Sequence, residues 1–326
     1  MSRLGVLLAL GGLVLAVWIV ARQDLSAVSA LLAAGGIGLV LASLTHLPPM
    51  VLNAWAWAVL MPGRQRPGLA TMTFNVWVRE SVNALLPVGR VGGEIASFRL
   101  LRGQGVRVAP AAGGLLLDVA LSLLSQLVFA LMGLALLAAG GGAMAWAGLA
   151  AGLALGFALA LGLVAAQRLS LFGRVAGALN RIAQGRLSAL AEHSARVDAY
   201  MRRAWRRPRA IAWCFLWQLA AWMAGGFEIW VALHLLGAPV SLLDALAIEA
   251  LIQAISSAAF LVPGALGVQE AGFVGIAVLL GLDPATGAAL AVTRRIRDLV
   301  LYLPGLLAWL WAERRLRRDP QTRITL

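Results

Sequence analysis

The sequence has no lysine, a single cysteine, three histidines and only 14 acidic residues among its 326 positions. Because Cys214 has no second cysteine to pair with, a disulfide framework and a cysteine-rich metal cluster are both excluded. No HExxH, GxSxG or nucleotide-binding glycine loop after a strand is present. We therefore expect no metal, no cofactor and no catalytic residues, and these absences favour a protein that is not an enzyme.

Apolar residues dominate what is there: 61% of the chain is hydrophobic and its mean hydropathy is +0.86. A soluble domain of this length could not bury so much apolar side chain, so lipid must surround most of it. An all-α polytopic membrane protein is predicted, with about six full transmembrane helices, because each run can cross ~30 Å of hydrocarbon. The runs are 4–21, 28–61, 111–139, 143–166, 210–236 and 285–312.

All 27 basic residues are arginine, and they give a net charge of +13. Ten of them lie in 168–209 and five after Trp311, between or beyond apolar runs. This distribution follows the positive-inside rule, so it indicates topology and no nucleic-acid partner. We expect a bacterial inner-membrane protein with both termini cytoplasmic, and an amphipathic helix over 169–200 lying on the inner leaflet.

The arginine positions also predict how the chain is organised. Arginines flank 69–98 at both ends, and the positive-inside rule assigns both flanks to the cytoplasm. This stretch therefore has to enter and leave the membrane by the same face. The same reasoning makes 240–282 re-enter from the opposite face. One integral membrane domain, 1–326, then divides into N-terminal helices 1–61, a first repeat 62–166 with re-entrant 69–98, an arginine-rich cytoplasmic segment 167–209, a second repeat 210–312 with re-entrant 240–282, and a cytoplasmic tail 313–326.

The two re-entrant stretches carry matching motifs, "PVGRVGGE" and "PGALGVQE", in which a glutamate follows a proline by seven residues. Proline ends a helix and glycine lets the chain turn, so each motif predicts two half-helices around a break. Their N-terminal N–H groups would point at the membrane midplane, as in inverted-repeat transporters. The predicted helix-break residues are Pro87, Gly89, Gly92, Gly93, Pro263, Gly264 and Gly267.

An ionisable side chain at membrane depth raises the free energy of membrane insertion by about 2.5–3.5 kcal/mol, so such residues usually have a functional or structural role. Guanidinium groups bind phosphate oxygens in a bidentate manner, so the arginines are candidates for contacting a lipid headgroup. The carboxylates are candidates for proton coupling or for structural ion pairs with those arginines. The arginines are Arg79, Arg90, Arg294, Arg295 and Arg297, and the carboxylates are Glu80, Glu94, Asp118, Glu249, Glu270 and Asp298.

The stretches "LPVGRVGGE" with "LLRGQGV", and "FLVPGALGVQEAGF" with "GLDPATGAALAVTRRIRDL", resemble the membrane region of the lysylphosphatidylglycerol synthase/flippase family. The branch that looks most similar is the hopanoid-biosynthesis-associated membrane protein. The resemblance implies lipid handling. In the synthase members a soluble aminoacyl-transferase domain makes the lysyl lipids, and we expect that this chain lacks that domain and does not make them.

These observations favour a lipid translocase, flippase- or scramblase-like, or a lipid-binding transporter. It would hold a polar or anionic headgroup, of a phospholipid, a hopanoid or a related lipid, at the midplane. The alternatives are an intramembrane lipid-modifying transferase and a non-catalytic scaffold for lipid-synthesis enzymes. Membrane lipids are the expected partners, with lipid-synthesis enzymes as further candidates, and the sequence specifies no oligomeric state.

Overall fold

The computed structural model describes residues 3–87, 92–139, 188–259 and 262–318, with isolated positions at 158 and 162, and within these ranges the chain is helical with no strand. Short 3-10 turns at Ser43–His46, Gly63–Gln65 and Pro263–Ala265 interrupt the α-helices. The helices are α1 Arg3–Ala21, α2 Leu25–Ala42, α3 Leu47–Leu60, α4 Leu69–Leu85, α5 Gly92–Gly103, α6 Val108–Ala139, α7 Ser188–Trp205, α8 Pro208–Leu235, α9 Leu242–Ala258, α10 Val268–Leu279 and α11 Pro284–Arg318.

The predicted all-α polytopic membrane fold is confirmed. By length and composition, three of the described segments can cross a membrane: Leu25–Leu60, Val108–Ala139 and Pro208–Leu235. The 35-residue α11 is longer still, but it carries arginines in its middle turns. Apart from the isolated positions 158 and 162, the predicted span 143–166 lies outside the described residues.

The long run predicted over 28–61 is not one continuous helix. It is divided by the 3-10 turn Ser43–His46, and α3 begins at Leu47 with Pro48 and Pro49 in its first turn. Prolines are tolerated there because the first N–H groups of a helix have no intrahelical partner. The division leaves the His46 side chain at a corner between two helices.

Each of the predicted broken segments is a pair of short helices. α4 and α5 have 17 and 12 residues, and α9 and α10 again have 17 and 12. Each pair is followed by a long helix, α6 with 32 residues and α11 with 35. A helix of 12 residues rises about 18 Å, too little to cross the bilayer alone. We call α4–α5 the first hairpin and α9–α10 the second hairpin; their opposite insertion stays a prediction.

α11 is the helix on which both hairpins pack: it contacts α4 of the first and α10 of the second, as well as α2. Its contact with α4 is close at Gly305, where an added Cβ would lie 2.7 Å from the Trp77 indole nitrogen. The Trp77 indole also donates a hydrogen bond of 2.7 Å to the Leu301 carbonyl. The charged middle of α11 is therefore held between the two hairpins.

The arginine-rich segment is described from α7 onward. The apolar side of α7, with Val197, Met201 and Ala204, is buried against α6 and Cys214 of α8. The Tyr200 hydroxyl donates a 2.7 Å hydrogen bond to the Leu60 carbonyl, and burial raises the pKa of Tyr200 to about 12. Residues 188–205 therefore pack that apolar side against the helix bundle, where the sequence had predicted contact with the lipid surface.

Candidate functional site

The breaks of the two hairpins lie against each other. Gly264, in the break of the second hairpin, adopts a left-handed φ of +58°, and a Cβ built on it would lie 3.0 Å from the Ala84 carbonyl oxygen near the end of α4. Arg295 of α11 joins this junction, because its Nη1 donates a 3.1 Å hydrogen bond to the Gly264 carbonyl. We call this meeting point the hairpin junction.

Arg295 and Glu270 organise the second break. The Glu270 carboxylate accepts a hydrogen bond of 2.6 Å from the Gly267 backbone N–H, which caps the start of α10. Its other oxygen accepts one of 2.7 Å from Arg295 Nε. Arg295 also forms an ion pair of 3.3 Å with Asp298. The arginine is thus oriented by two carboxylates and one backbone carbonyl.

Arg295 also keeps spare binding capacity. Its Nη2 is buried and has no hydrogen-bond partner among the described residues. Its side chain is 25% exposed, against 2% for Arg294 and 9% for Arg297. A buried donor without a partner lowers the stability of the folded protein, so a hydrogen-bond acceptor on a ligand would stabilise this group.

The first break is closed by Asn83 near the end of α4. Its Oδ1 accepts a 2.8 Å hydrogen bond from the Gly93 N–H, and its amide donates to both Glu94 oxygens at 3.2 and 3.3 Å. Pro87 lies two residues beyond α4 and Gly92 opens α5, as a break requires. Gly89 and Arg90 lie outside the described residues.

The half-helix N-termini differ from the sequence expectation in one respect. The N–H groups of Gly93 and Gly267 do not point unpaired at the midplane, since Asn83 and Glu270 accept their hydrogen bonds. Such capping removes the desolvation cost of a bare backbone donor. These two N–H groups are therefore not free to bind an anion.

Arg79 of α4 forms the polar contact to α6. Its Nη1 lies 2.6 Å from the Asp118 carboxylate, which is fully buried. Gln218 of α8 donates a second hydrogen bond of 2.8 Å to Asp118, and the guanidinium stacks 5.2 Å from the Trp57 ring centroid. This group connects α3, α4, α6 and α8.

The middle of α11 supplies two more buried ion pairs. Arg294 pairs with Glu249 of α9 and lies 3.5 Å from Glu228 of α8. Arg297 pairs with its neighbour Asp298 and lies 3.4 Å from Glu228. The second hairpin is thereby tied through α9 to α11 and α8.

His46, Glu228 and Tyr302 complete the cluster, although no sequence pattern gave them a site role. His46 Nδ1 lies 2.7 Å from Glu228, and His46 Nε2 lies 3.0 Å from the Tyr302 hydroxyl. That hydroxyl donates a 3.2 Å hydrogen bond to Glu80. The available signal was rarity, because the chain has three histidines and two tyrosines and His46 adjoins the Pro48-Pro49 bend.

Most of the described membrane-depth charges thus form one set joined by ion pairs and hydrogen bonds along α11, and the Arg79–Asp118 pair and the Asn83–Glu94 group are separate contacts of α4. Every described arginine predicted for headgroup contact is paired with at least one carboxylate. Seven carboxylates face four arginines among the described residues at membrane depth, so the described groups leave room for protons or other cations. The carboxylates are Glu80, Glu94, Asp118, Glu228, Glu249, Glu270 and Asp298.

Comparison with known proteins gives one match. The family model described as lysylphosphatidylglycerol synthase TM region matches residues 3–305 of the chain. No curated protein and no solved structure matches.

Proposed function

Because the chain belongs to the lysylphosphatidylglycerol synthase TM region family, a membrane family related to lipid handling, we propose that it moves amphiphilic lipids between the leaflets of the bacterial inner membrane. A polar or anionic headgroup would bind at the hairpin junction while its acyl chains stay in the bilayer. In this proposal the transported lipid is a phospholipid, a hopanoid or a related lipid.

The observation that supports this proposal most directly is Arg295. It lies at the hairpin junction, is the most exposed of the four described membrane-depth arginines, and carries an Nη2 without a partner among the described residues. A guanidinium held by Glu270 and Asp298 is pre-oriented, so an incoming phosphate oxygen would bind with little loss of side-chain entropy.

The arrangement of the hairpins supports a route through the membrane. The second break lies against α11 and against the end of α4, and irregular backbone at membrane depth is stable only where it is buried in protein or lines a cavity. Small movements of either hairpin relative to α11 would open the junction toward one leaflet, as in transporters built from inverted repeats. The arginine-rich segments place both termini on the cytoplasmic side in this proposal.

The proposal can be tested with Arg295→Lys, which keeps the positive charge but loses the planar fork. Purified protein in liposomes should accelerate leaflet exchange of a labelled phospholipid, and the variant should reduce that rate by about tenfold or more, the value of one charged hydrogen bond. The exchange rate is measured by fluorescence quenching of lipid in the outer leaflet.

Arg99→Lys is the matched control. Arg99 pairs with Glu313 away from the hairpin junction, and its side chain is 37% exposed, so exchange should stay at the wild-type rate. The translocase proposal would be refuted if the exchange rate of phospholipid and hopanoid probes with wild-type protein never exceeded the rate in protein-free liposomes.

A further inference from the structure

His46 lies at a corner where several helices present ionisable groups to one imidazole ring. Glu228 comes from α8, Arg297 and Tyr302 from α11, and Glu80 from α4. Arg294 and Asp298 of α11 contact the same group through Glu228 and Arg297. The adjoining helices α2 and α3 contain no ionisable residue.

The two ring nitrogens of His46 face different demands. The Tyr302 hydroxyl donates a hydrogen bond to Glu80, so its oxygen accepts a hydrogen bond from His46 Nε2. Nε2 must then carry a hydrogen. At Nδ1 the neighbours conflict: the Glu228 carboxylate at 2.7 Å accepts a hydrogen, whereas Arg297 Nη1 at 3.1 Å donates one. Nδ1 can satisfy only one of these partners at a time.

Proton binding at Nδ1 therefore selects its partner. With a proton, the imidazolium donates Nδ1–H to Glu228, and Arg297 turns fully to Asp298 and the Glu228 oxygens. Without it, the Nδ1 lone pair accepts from Arg297, and Glu228 must move away from that lone pair. Histidine is the side chain whose charge changes most readily near neutral pH.

A short hydrogen-bonded path connects the two ring nitrogens of His46 to carboxylates on either side. The Glu80 side chain is 22% exposed, and a hydrogen-bonded sequence leads from it through the Tyr302 hydroxyl to His46, 13% exposed, and on to Glu228, 8% exposed. Chains of carboxylate and histidine groups at membrane depth are a recurrent proton relay.

The same position is connected to the hairpin junction. Arg297 pairs with Asp298, Asp298 pairs with Arg295, and Arg295 holds the Gly264 carbonyl in the second break. A change in the partner of Arg297 thus alters the charge that Asp298 presents to Arg295. Two of the six carboxylates predicted as candidates for proton coupling are held by other groups, Glu270 by Arg295 and Gly267, and Glu94 by Asn83.

We infer that His46 is the proton-binding residue that couples lipid movement to a proton gradient, an inference that rests on the proposed translocase function. Binding breaks the O–H bond of a protonated Glu228 carboxyl, forms an N–H bond at Nδ1 and transfers the Arg297 hydrogen bond to carboxylate oxygens. Release breaks the Nε2–H bond, because that proton passes to the Tyr302 oxygen while the hydroxyl gives its own proton to Glu80. When the ring returns to the Nε2–H tautomer, the cycle has carried one proton from Glu228 to Glu80.

The experiment uses full-length protein in liposomes with and without an imposed pH gradient. One coupled proton should shift the steady-state leaflet ratio of a labelled phospholipid by about tenfold per pH unit. His46→Gln and, independently, Tyr302→Phe should abolish that shift. His234→Gln is the matched control, because His234 is exposed and contacts only the Trp230 carbonyl and ring among the described residues, so the shift should persist.

A second measurement does not depend on transport. In protein labelled with ¹⁵N-histidine, the imidazole signal that disappears in His46→Gln should titrate between the neutral and protonated forms, and Glu228→Gln should move its midpoint to lower pH because the cation loses its carboxylate partner. Gel filtration and thermal unfolding check that each variant is folded.

The outcomes separate the two proposals. Wild-type exchange that ignores the pH gradient, or a gradient response that survives His46→Gln, overturns the inference while the translocase proposal stands. If the wild type exchanges no lipid, the translocase proposal fails and the titration decides the proton site. A His46 signal that keeps one protonation state throughout the pH range of the folded protein overturns the inference in every case.

Discussion

At the residue scale, the polar interior depends on arginine without lysine. The described membrane-depth arginines each contact a carboxylate, and guanidinium stays protonated at any physiological pH. Only the carboxylates and His46 can therefore change their charge in this part of the molecule. Removing one partner leaves the other as an unpaired buried ion, which costs far more than the pair contributes as a whole.

Asp118→Ala tests this asymmetry. It leaves Arg79 buried beside Trp57 without its carboxylate, so we expect the free energy of unfolding to fall by about 3–5 kcal/mol. Asp244→Ala, in the first turn of α9 where Asp244 contacts only Ser241 among the described residues, should cost no more than about 1 kcal/mol. Reversible unfolding in mixed micelles measures the free energy of unfolding of both variants. Equal decreases would show that losing the carboxylate of the buried Arg79–Asp118 pair costs no more than losing the Asp244 carboxylate.

At the element scale, the short half-helices depend on how their ends are capped. α10 begins after Gly267, whose φ is +79°, and a Cβ built there would lie 2.7 Å from the Leu15 side chain of α1. Glu270 then accepts the Gly267 N–H. The start of this half-helix is thus set by one backbone conformation that residues other than glycine rarely adopt.

Gly267→Ala should destabilise the protein by about 1–3 kcal/mol, because the left-handed backbone conformation and the contact with Leu15 both oppose a Cβ. Gly275→Ala is the paired comparison, since Gly275 lies inside α10 with no atom within 4 Å of a built Cβ. That substitution should be neutral or stabilising by up to about 1 kcal/mol. Thermal unfolding of the two variants in detergent distinguishes them, and a neutral Gly267→Ala would contradict this account of the break.

The sequence predicted much of the fold because its strongest signals are local. Apolar runs mark the long helices, and proline with glycine marks both breaks, where Pro87 follows α4 and Gly264 takes a positive φ. The partners of the charges are not local. Arg294 and Asp298 lie four residues apart on one helix, a spacing at which opposite charges can pair, yet Arg294 pairs with Glu249, 45 residues away.

Periodicity cannot reveal which side chains of separate helices meet, because helix spacing along the chain does not fix helix packing. Asp298 instead contacts its near neighbours Arg295 and Arg297. His46 had no detectable pattern around it apart from the adjoining prolines, and its contacts come from residues 80, 228, 297 and 302. Three-dimensional packing was needed to bring these groups together.

At the scale of the whole molecule, two helix series of similar build pack on each other. The order short helix, short helix, long helix occurs twice, and the end of α4 in the first hairpin lies beside Gly264 in the second break, which Arg295 of α11 also contacts. Lipid passage between leaflets would require this junction to open, so a covalent link across it should hold the molecule closed.

A cross-link between Ala84→Cys and Gly264→Cys tests that expectation, in a Cys214→Ala background that removes the only native cysteine. The unlinked double variant is the reference for this experiment, because the positive φ of Gly264 makes the Gly264→Cys change itself strained. Compared with that reference, a short bifunctional thiol reagent should join the two positions and lower lipid exchange to the protein-free rate, and mass spectrometry of the joined peptides measures the yield. Ala84→Cys with Leu279→Cys should not react, because α10 places Leu279 about 17 Å beyond its first residue. Full exchange by the linked protein would mean that the junction does not open during transport.

Half-helices of 12 residues also affect the lipids around them. α5 and α10 each rise about 18 Å, while the hydrocarbon of a typical bilayer is ~30 Å thick. Where such a helix faces lipid, the neighbouring acyl chains must tilt or compress, at a cost that grows with every ångström of mismatch. The protein should therefore accumulate in thinner regions of the membrane, and vesicles made from shorter acyl chains should be its more favourable host.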